Sequence, residues 1–156
     1  EAQFQLAEAL YNKSEDDEDS EDALKYYLTA AKNNHSGAQY MLGAIFDMSL
    51  IGLTHPSAHY SENAFEDRDK IAIEWYTKAA EQCHPKAGYQ LGVHYSSGDG
   101  VPADKVEAYK WYGISVACGD TYLSQDTQDY AREHLTPEQV FEAQSRIAAW
   151  LEKHGK

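Results

Sequence analysis

The residues best suited to chemistry in this chain are carboxylates, which cluster in one segment near the N-terminus. The segment SEDDEDSED, residues 14–22, is acidic at seven of nine positions. A calcium loop would also need a glycine at its sharp turn, which the segment lacks, and acid–base catalysis would need an apolar setting that raises one carboxyl pKa. We therefore expect a solvated loop or a docking surface for a basic partner. The candidate partner-binding residues of this acidic run are Glu15, Asp16, Asp17, Glu18 and Asp19.

The excess of negative charge extends over the whole chain. Its 156 residues include 26 acidic and 13 basic side chains, and the formal net charge is −13. Because nucleic acids and anionic membranes would repel this field, neither is an expected partner, and no apolar segment reaches the roughly 18 residues of a membrane span. Residues 1–37 alone carry a net charge of −6. This charge predicts fast association with a basic partner, which salt would weaken.

Two histidines in a second segment have a spacing that could hold a metal ion. His55 and His59 lie in SLIGLTHPSAHYSENA, residues 49–64. Ligands four residues apart suit zinc only on a helix, and Pro56 disfavours helical backbone at the residue before it. No nucleophile signature such as Gly-x-Ser-x-Gly is present. The sequence therefore predicts no metal, no cofactor and no catalytic residue.

The same segment is richer in apolar and aromatic residues than a plain linker would be. Loops longer than about 12 to 15 residues inside a compact domain are usually functional. His55, His59 and Tyr60 are therefore candidate partner-binding residues. The alternative is that the apolar residues fold back over neighbouring helices and extend the core without any partner.

The elements that must position these residues are helix pairs that repeat along the chain. Leu42 corresponds to Leu91, and Trp75 corresponds to Trp111, with apolar residues at spacings of three and four in each copy. We expect a single domain from 1 to 156 with these parts: a repeat at about 2–37, a second at about 38–86 with an insertion at about 49–64, a third at about 87–120, and C-terminal helices with a cap at about 121–154.

The last helix has a clear start signal. Thr136 and Gln139 have capping-box spacing, with Pro137 at the first helical position. This helix is predicted to cap the C-terminal end of the array. The residues predicted to be buried on it are Val140, Phe141, Ile147, Trp150 and Leu151.

Tyrosine supplies 12 of the 19 aromatic residues, which suits a surface that is both apolar and hydrogen-bonding. Tyr27, Tyr76 and Tyr112 occupy the same repeat position and are predicted to be structural. Aromatic residues on the first helix of each pair are candidate binding anchors. These are Tyr11, Tyr40, Phe46, Tyr89 and Tyr95.

The third copy carries the pattern Ala-x-x-x-Leu-Gly-x-x-Tyr-x-x-Gly-x-Gly-Val-x-x-Asp followed by Ala-x-x-Trp-Tyr. This pattern, from Ala87 to Tyr112, resembles the Sel1-like repeat, a relative of the tetratricopeptide repeat. The resemblance implies an all-α protein, an α/α superhelical solenoid of about three helix-pair repeats plus a C-terminal capping helix, of bacterial type. It also implies a concave face, lined by first helices, that binds another protein.

The two cysteines are expected to be free thiols. Cys83 and Cys118 are placed at the ends of second helices in adjacent repeats. Packed helices lie about 8 to 10 Å apart, beyond the usual Cα separation of a disulfide. The cysteine-rich secreted branch of the Sel1-like family pairs cysteines within one repeat, and the sequence does not indicate that arrangement. Enzymatic activity suggested for that branch is therefore not expected.

The resemblance and the charge together favour a non-enzymatic scaffold that binds a partner protein or peptide through its concave face and acidic loop. One alternative is an immunity or inhibitor-type protein that neutralises a basic toxin or enzyme. Another is a cell-envelope adaptor that contacts glycan, whereas a hydrolase is disfavoured. We expect a monomer, in the periplasm or secreted rather than cytoplasmic.

Overall fold

Helices form all the regular secondary structure of the part of the chain described by this computed structural model, which comprises residues 1–13, 17–47, 68–120 and 124–156. The all-α prediction is therefore confirmed for these residues. The helices are α1 (Ala2–Lys13), α2 (Asp17–Lys32), α3 (Ser36–Phe46), α4 (Arg68–Glu81), α5 (Pro85–Ser97), α6 (Lys105–Ala117), α7 (Ser124–His134) and α8 (Pro137–Lys153). They divide into two compact units, Glu1–Ala79 (unit 1) and Ala80–Lys156 (unit 2).

The core of unit 1 is built from small residues that allow close helix packing and from tyrosines that fill the remaining space. Ala7, Ala38 and Leu42 are completely buried on α1 and α3, and Tyr27 is completely buried on α2. His35 precedes α3, and its ring accepts a hydrogen bond from the backbone N–H of Ala38. This contact caps one of the unpaired N–H groups at the start of α3.

Tyr76 shows how a glycine and a tyrosine at matched repeat positions depend on each other. The Tyr76 ring is completely buried against Gly43, at a position where any Cβ would overlap the ring. The hydroxyl of Tyr76 donates a hydrogen bond to the carboxylate of Asp47 at 3.0 Å. Asp47 itself is 1% exposed and lies directly after α3. The ring is therefore held at its face and at its hydroxyl, which confirms the structural role predicted for Tyr76.

Tyr27 occupies the corresponding position in the first repeat, but its hydroxyl is in a different situation. The side chain is completely buried, and its hydroxyl makes no hydrogen bond with any residue that the structure describes. Burial raises the pKa of Tyr27 above its usual value, and the nearby Glu8 and Tyr11 raise it further. A buried hydroxyl without a partner costs about 1 to 3 kcal/mol.

Replacing Tyr27 by Phe is expected to stabilise the protein by about 1 kcal/mol, because it removes this unpaired hydroxyl. The variant should also lose less stability in alkali. Above pH about 10 the unfolded tyrosine loses its proton while the buried one keeps it, so stability falls by up to about 1.4 kcal/mol per pH unit for this group. Urea unfolding between pH 8 and 11.5 measures both effects. Tyr26→Phe, on the exposed side of the same helix, is the control and should change neither.

In unit 2, α5 and α6 form an antiparallel hairpin whose ends are defined by the sequence. Pro85 occupies the first turn of α5, and Gly98 ends it with a left-handed φ of 88°. Gly100 also has positive φ, and the Asp104 carboxylate caps α6 by accepting from two backbone N–H groups. Near the other end of the hairpin, the Ser115 hydroxyl donates to the carbonyl of Pro85 at 2.8 Å. The glycine segment is therefore a helix connector.

The prediction of two free thiols is wrong, because Cys83 and Cys118 form a disulfide with a Cα–Cα separation of 5.2 Å. The prediction compared the axes of two second helices. Cys83, however, lies in the connector just before α5, and Cys118 is the residue that ends α6. Since α5 and α6 run antiparallel, the beginning of one meets the end of the other. The disulfide thus closes a single helix pair.

The C-terminal helix begins as predicted, and Phe141 is the exception among the residues predicted to face its core. Thr136 and Gln139 form the predicted capping box. Ala143 is completely buried, with Val140 and Ile147 packed against the same cluster on α6 and α7. The prediction that Phe141 is buried is wrong, since it is 73% exposed. One residue of helix turns a side chain by about 100°, so Phe141 lies off the stripe formed by Val140, Ala143 and Ile147.

An ion-pair group links α8 to α6 within unit 2. Arg146 contacts Glu107 at 2.9 Å and Glu142 at 2.6 Å, and Lys110 pairs with the other oxygen of Glu107. The carboxylates of Glu142 and Glu107 raise the pKa of Arg146, which therefore stays charged. Glu107 is 17% exposed, so these contacts are screened less than surface pairs.

Candidate functional site

The acidic run is mostly helical, so the prediction of an acidic loop is wrong from Asp17 onward. Helix α2 begins at Asp17, and Asp17, Glu18 and Asp19 form its first turn. Negative side chains at a helix N-terminus interact favourably with the helix dipole, which explains why so acidic a segment is helical. Glu15 and Asp16 lie outside the described residues. The run ends at Asp22, whose exposed carboxylate pairs with Lys25 at 2.9 Å.

The first-helix aromatics of unit 1 are more deeply placed than a binding surface requires. Phe46 is 4% exposed and belongs to the core. Tyr11 and Tyr40 are half-buried, with their rings 6.3 Å from Tyr27 and 5.9 Å from Tyr76, respectively. Burial raises the pKa of Tyr40, and Asp47 raises it further. Only the outer parts of Tyr11 and Tyr40 are therefore open to a partner.

The corresponding residues of unit 2 are more accessible. Tyr89 is 37% exposed on α5, and Tyr95, six residues later on the same helix, is half-buried. Burial raises the pKa of Tyr95, and the charges of Glu107 and Asp104 raise it further. The Tyr95 phenol therefore remains a neutral hydrogen-bonding group at physiological pH.

Tyr89 is part of a group of three tyrosines, the tyrosine cluster, which also contains Tyr112 of α6 and Tyr130 of α7. The ring centroids of Tyr89 and Tyr112 are 5.7 Å apart, and those of Tyr112 and Tyr130 are 5.2 Å apart in an edge-to-face arrangement. Burial raises the pKa of Tyr112, and its two neighbours raise it further, whereas a hydrogen bond with Ser96 lowers it. These rings form a continuous aromatic surface that joins three helices.

Sequence reasoning did not identify Tyr112 and Tyr130 as site residues. Tyr112 was assigned to the core because Tyr27 and Tyr76 hold the same repeat position, but it is only half-buried. The available signal was the repeat itself: α7 follows the third helix pair where another first helix would lie, so its aromatic residue is brought beside those of α5.

The candidate partner-binding residues of the 49–64 insertion lie outside the described part of the chain. His55, His59, Tyr60 and the insertion at 49–64 are in this category, so their roles stay predictions. Among the residues that the structure describes, no group of three or more His, Cys, Asp or Glu side chains is placed to hold a metal ion. None of the described helices combines the length and apolar character of a membrane span.

Comparison with protein families identifies the repeat. The family model described as Sel1 repeat matches three segments, residues 1–35, 36–82 and 85–120. Together these segments cover most of the chain. No curated protein shows significant sequence similarity to it.

Two solved structures are similar over most of the chain. One is c5321, a protective antigen present in uropathogenic Escherichia coli strains that displays an SLR fold. It has 25% identity and a TM-score of 0.77 over 98% of this chain, which spans only 30% of the length of c5321. The other is a Sel1 repeat protein from Oxalobacter formigenes, with 29% identity and a TM-score of 0.61 over 82% of this chain and 86% of its own. The predicted class, an all-α solenoid of Sel1-like repeats, is thereby confirmed.

Proposed function

Because this chain belongs to the Sel1 repeat family, whose members are scaffolds for protein–protein interaction, we propose that it is a non-enzymatic scaffold that binds a basic partner protein or peptide. The observation that carries the proposal is the charge of −13, of which residues 1–37 supply −6. Complementary charge accelerates association and selects against partners of the same sign. Tyr89 and the outer parts of the other first-helix tyrosines would add the short-range contacts that hold the complex.

The start of α2 supports this proposal as the electrostatic part of the surface. Asp17, Glu18 and Asp19 occupy one helical turn, so their Cα atoms lie within a few ångströms of one another. A helical turn would present charge with less loss of conformational entropy than a loop would. The acidic run would thus steer a basic partner towards unit 1.

Neutralising this turn is expected to slow the binding of a basic partner. In the variant Asp17→Asn, Glu18→Gln, Asp19→Asn, we expect the association rate to fall about tenfold at low salt, with a smaller difference at high salt. A partner is first captured from lysate with the intact chain, then identified, purified and measured by surface plasmon resonance. The matched control Glu81→Gln, Glu133→Gln, Glu152→Gln removes three exposed carboxylates elsewhere and has the same net charge. Equal slowing by both variants would assign the effect to overall charge, and no slowing would exclude the acidic run.

An inhibitor or immunity-type role is the second candidate, and the same charge favours it. A protein of this charge could cover the active site or nucleic-acid surface of a basic toxin or enzyme. Loss of the captured partner's activity on addition of the chain would support this role. A fully active partner in the complex would support the scaffold instead.

The disulfide supports a periplasmic or secreted location. Structural disulfides persist in oxidising compartments and are rare in the cytosol, where thiols are kept reduced. Cys83 and Cys118 account for all the cysteine in the chain, and both are in the disulfide. Thiol labelling of cells with a membrane-impermeant reagent, before and after reduction, would distinguish an oxidised pair outside the cytoplasm from a reduced pair within it.

A further inference from the structure

A cleft of about 150 Å³ opens beside the tyrosine cluster in unit 2. It is lined by Tyr89, Tyr112, Asp126, Thr127 and Tyr130. Its volume equals that of about five water molecules in the liquid. Sites for cofactors and drug-sized ligands usually have about 300 to 1,000 Å³. The space therefore fits the end of one side chain rather than a cofactor or a helix.

The lining of the cleft has the chemistry that attracts a cation. Three tyrosine rings present π-electron density, and the exposed Asp126 contributes a full negative charge. None of the five lining residues is basic. The nearby Arg132 is paired with Asp129 at 2.6 Å, and His134 contacts the ring of Tyr130, but neither lines the cleft.

Two of the rings are fixed in position before any ligand arrives. The Tyr130 hydroxyl donates to the Ser96 hydroxyl at 3.1 Å. Gly92 leaves the space that the Tyr112 ring occupies, since any Cβ there would overlap the ring. Rings that are already ordered lose little conformational entropy when a cation binds.

We propose that this cleft binds the guanidinium group of one arginine side chain of the partner, a role that rests on the proposed binding of a basic protein or peptide. Arginine fits better than lysine, because its planar group stacks on aromatic rings while its N–H groups donate to a carboxylate. Tyr89 and Tyr112 supply faces for stacking, and Asp126 supplies the acceptor. The cleft would thereby select an exposed arginine within a basic surface that the overall charge attracts.

NMR titration of the intact chain with three pentapeptides tests this site directly. The peptides are acetyl-Gly-Gly-X-Gly-Gly-amide, with X as arginine, citrulline or leucine. Citrulline keeps the shape of arginine without its charge, and leucine offers only apolar character. We expect the arginine peptide to shift the ring signals of Tyr89, Tyr112 and Tyr130, with a dissociation constant at least fivefold lower than that of the citrulline peptide. Equal binding of the arginine and citrulline peptides, or tighter binding of the leucine peptide, would overturn the proposal.

Matched variants locate the binding within the cleft. Tyr89→Leu should lower the affinity for the arginine peptide about fivefold. Tyr89→Phe keeps the ring, so its affinity should stay within about twofold of that of the parent. Asp126→Asn should weaken binding about fivefold and reduce its salt dependence. The controls are Tyr26→Leu, with the same 37% exposed fraction, and Glu81→Gln, an exposed carboxylate outside the acidic run, and both should bind like the parent. Equal weakening by the controls and the cleft variants would contradict the assignment.

Failure of this site and failure of the proposed function give different results. If Tyr89→Leu leaves the captured partner's affinity unchanged while the Asp17–Asp19 variant weakens it, the cleft proposal is wrong and the scaffold function stands. If the arginine peptide binds in the cleft but no protein partner is captured, the chemistry of the cleft holds and the scaffold proposal fails.

Discussion

Reduction of the Cys83–Cys118 disulfide is expected to lower the free energy of unfolding by about 4 kcal/mol. The two cysteines are 35 residues apart in sequence, and the loop-closure relation gives about 3.8 kcal/mol for a loop of that length. The disulfide holds the start of α5 against the end of α6, so its loss would loosen the α5–α6 hairpin. A whole domain is stabilised by only about 5 to 15 kcal/mol. A change of this size would be a large part of the total.

Urea unfolding with and without a phosphine reductant measures this effect, and thiol titration confirms the oxidation state. The matched control is the double variant Cys83→Ala, Cys118→Ala, which should resemble the reduced parent and show no response to reductant. Two titratable thiols in the unreduced native protein would contradict the disulfide. A stability unchanged by reduction would contradict the predicted magnitude.

Gly43→Ala is expected to destabilise the protein by about 2 to 3 kcal/mol, although the same change in an exposed helix would stabilise it by about 1 kcal/mol. A Cβ at position 43 would overlap two ring atoms of Tyr76. The Tyr76 ring cannot rotate away, because it is completely buried and its hydroxyl is hydrogen-bonded to Asp47. Overpacking of this kind must move α3 and α4 apart or break the hydrogen bond.

Thermal and urea unfolding of Gly43→Ala can be compared with Gly37→Ala on the same helix. At position 37 the nearest atom to an added Cβ is the far end of the Phe4 ring at 3.1 Å, which is half-buried and can shift. Gly37→Ala is therefore expected to change stability by less than about 1 kcal/mol. A Gly43→Ala variant as stable as the parent would show that Tyr76 is not fixed in the way the contacts indicate.

The local features of the fold were predictable because each depends on only a few residues that are close together in sequence. The capping box of Thr136 and Gln139, the glycine connector after Ser97 and the helical spacing around Leu91 needed no knowledge of distant parts of the chain. The same holds for the charge of −13, which depends on composition alone. The acidic run was harder, because its residue types favour a solvated loop while its place at the start of α2 favours a helix.

The candidate site was predicted only in part, because it depends on which side chains meet. Tyr89 was identified from its place on a first helix, and the structure puts it at the edge of the tyrosine cluster. Tyr130 and Asp126 come from a helix outside the three recognised repeats, so nothing in the repeat pattern pointed to them. Phe46 has the right position in sequence, but it faces the core of unit 1.

The sequence by itself determined the helix-pair repeat, the family and the negative charge, since periodicity, motif and composition are properties of the chain. The tertiary structure decided that Cys83 meets Cys118, that Phe141 faces outward and that Tyr89, Tyr112 and Tyr130 share one surface. The physical reason is that helix formation follows from interactions between residues three and four apart, whereas these contacts depend on how helix ends and faces pack against one another.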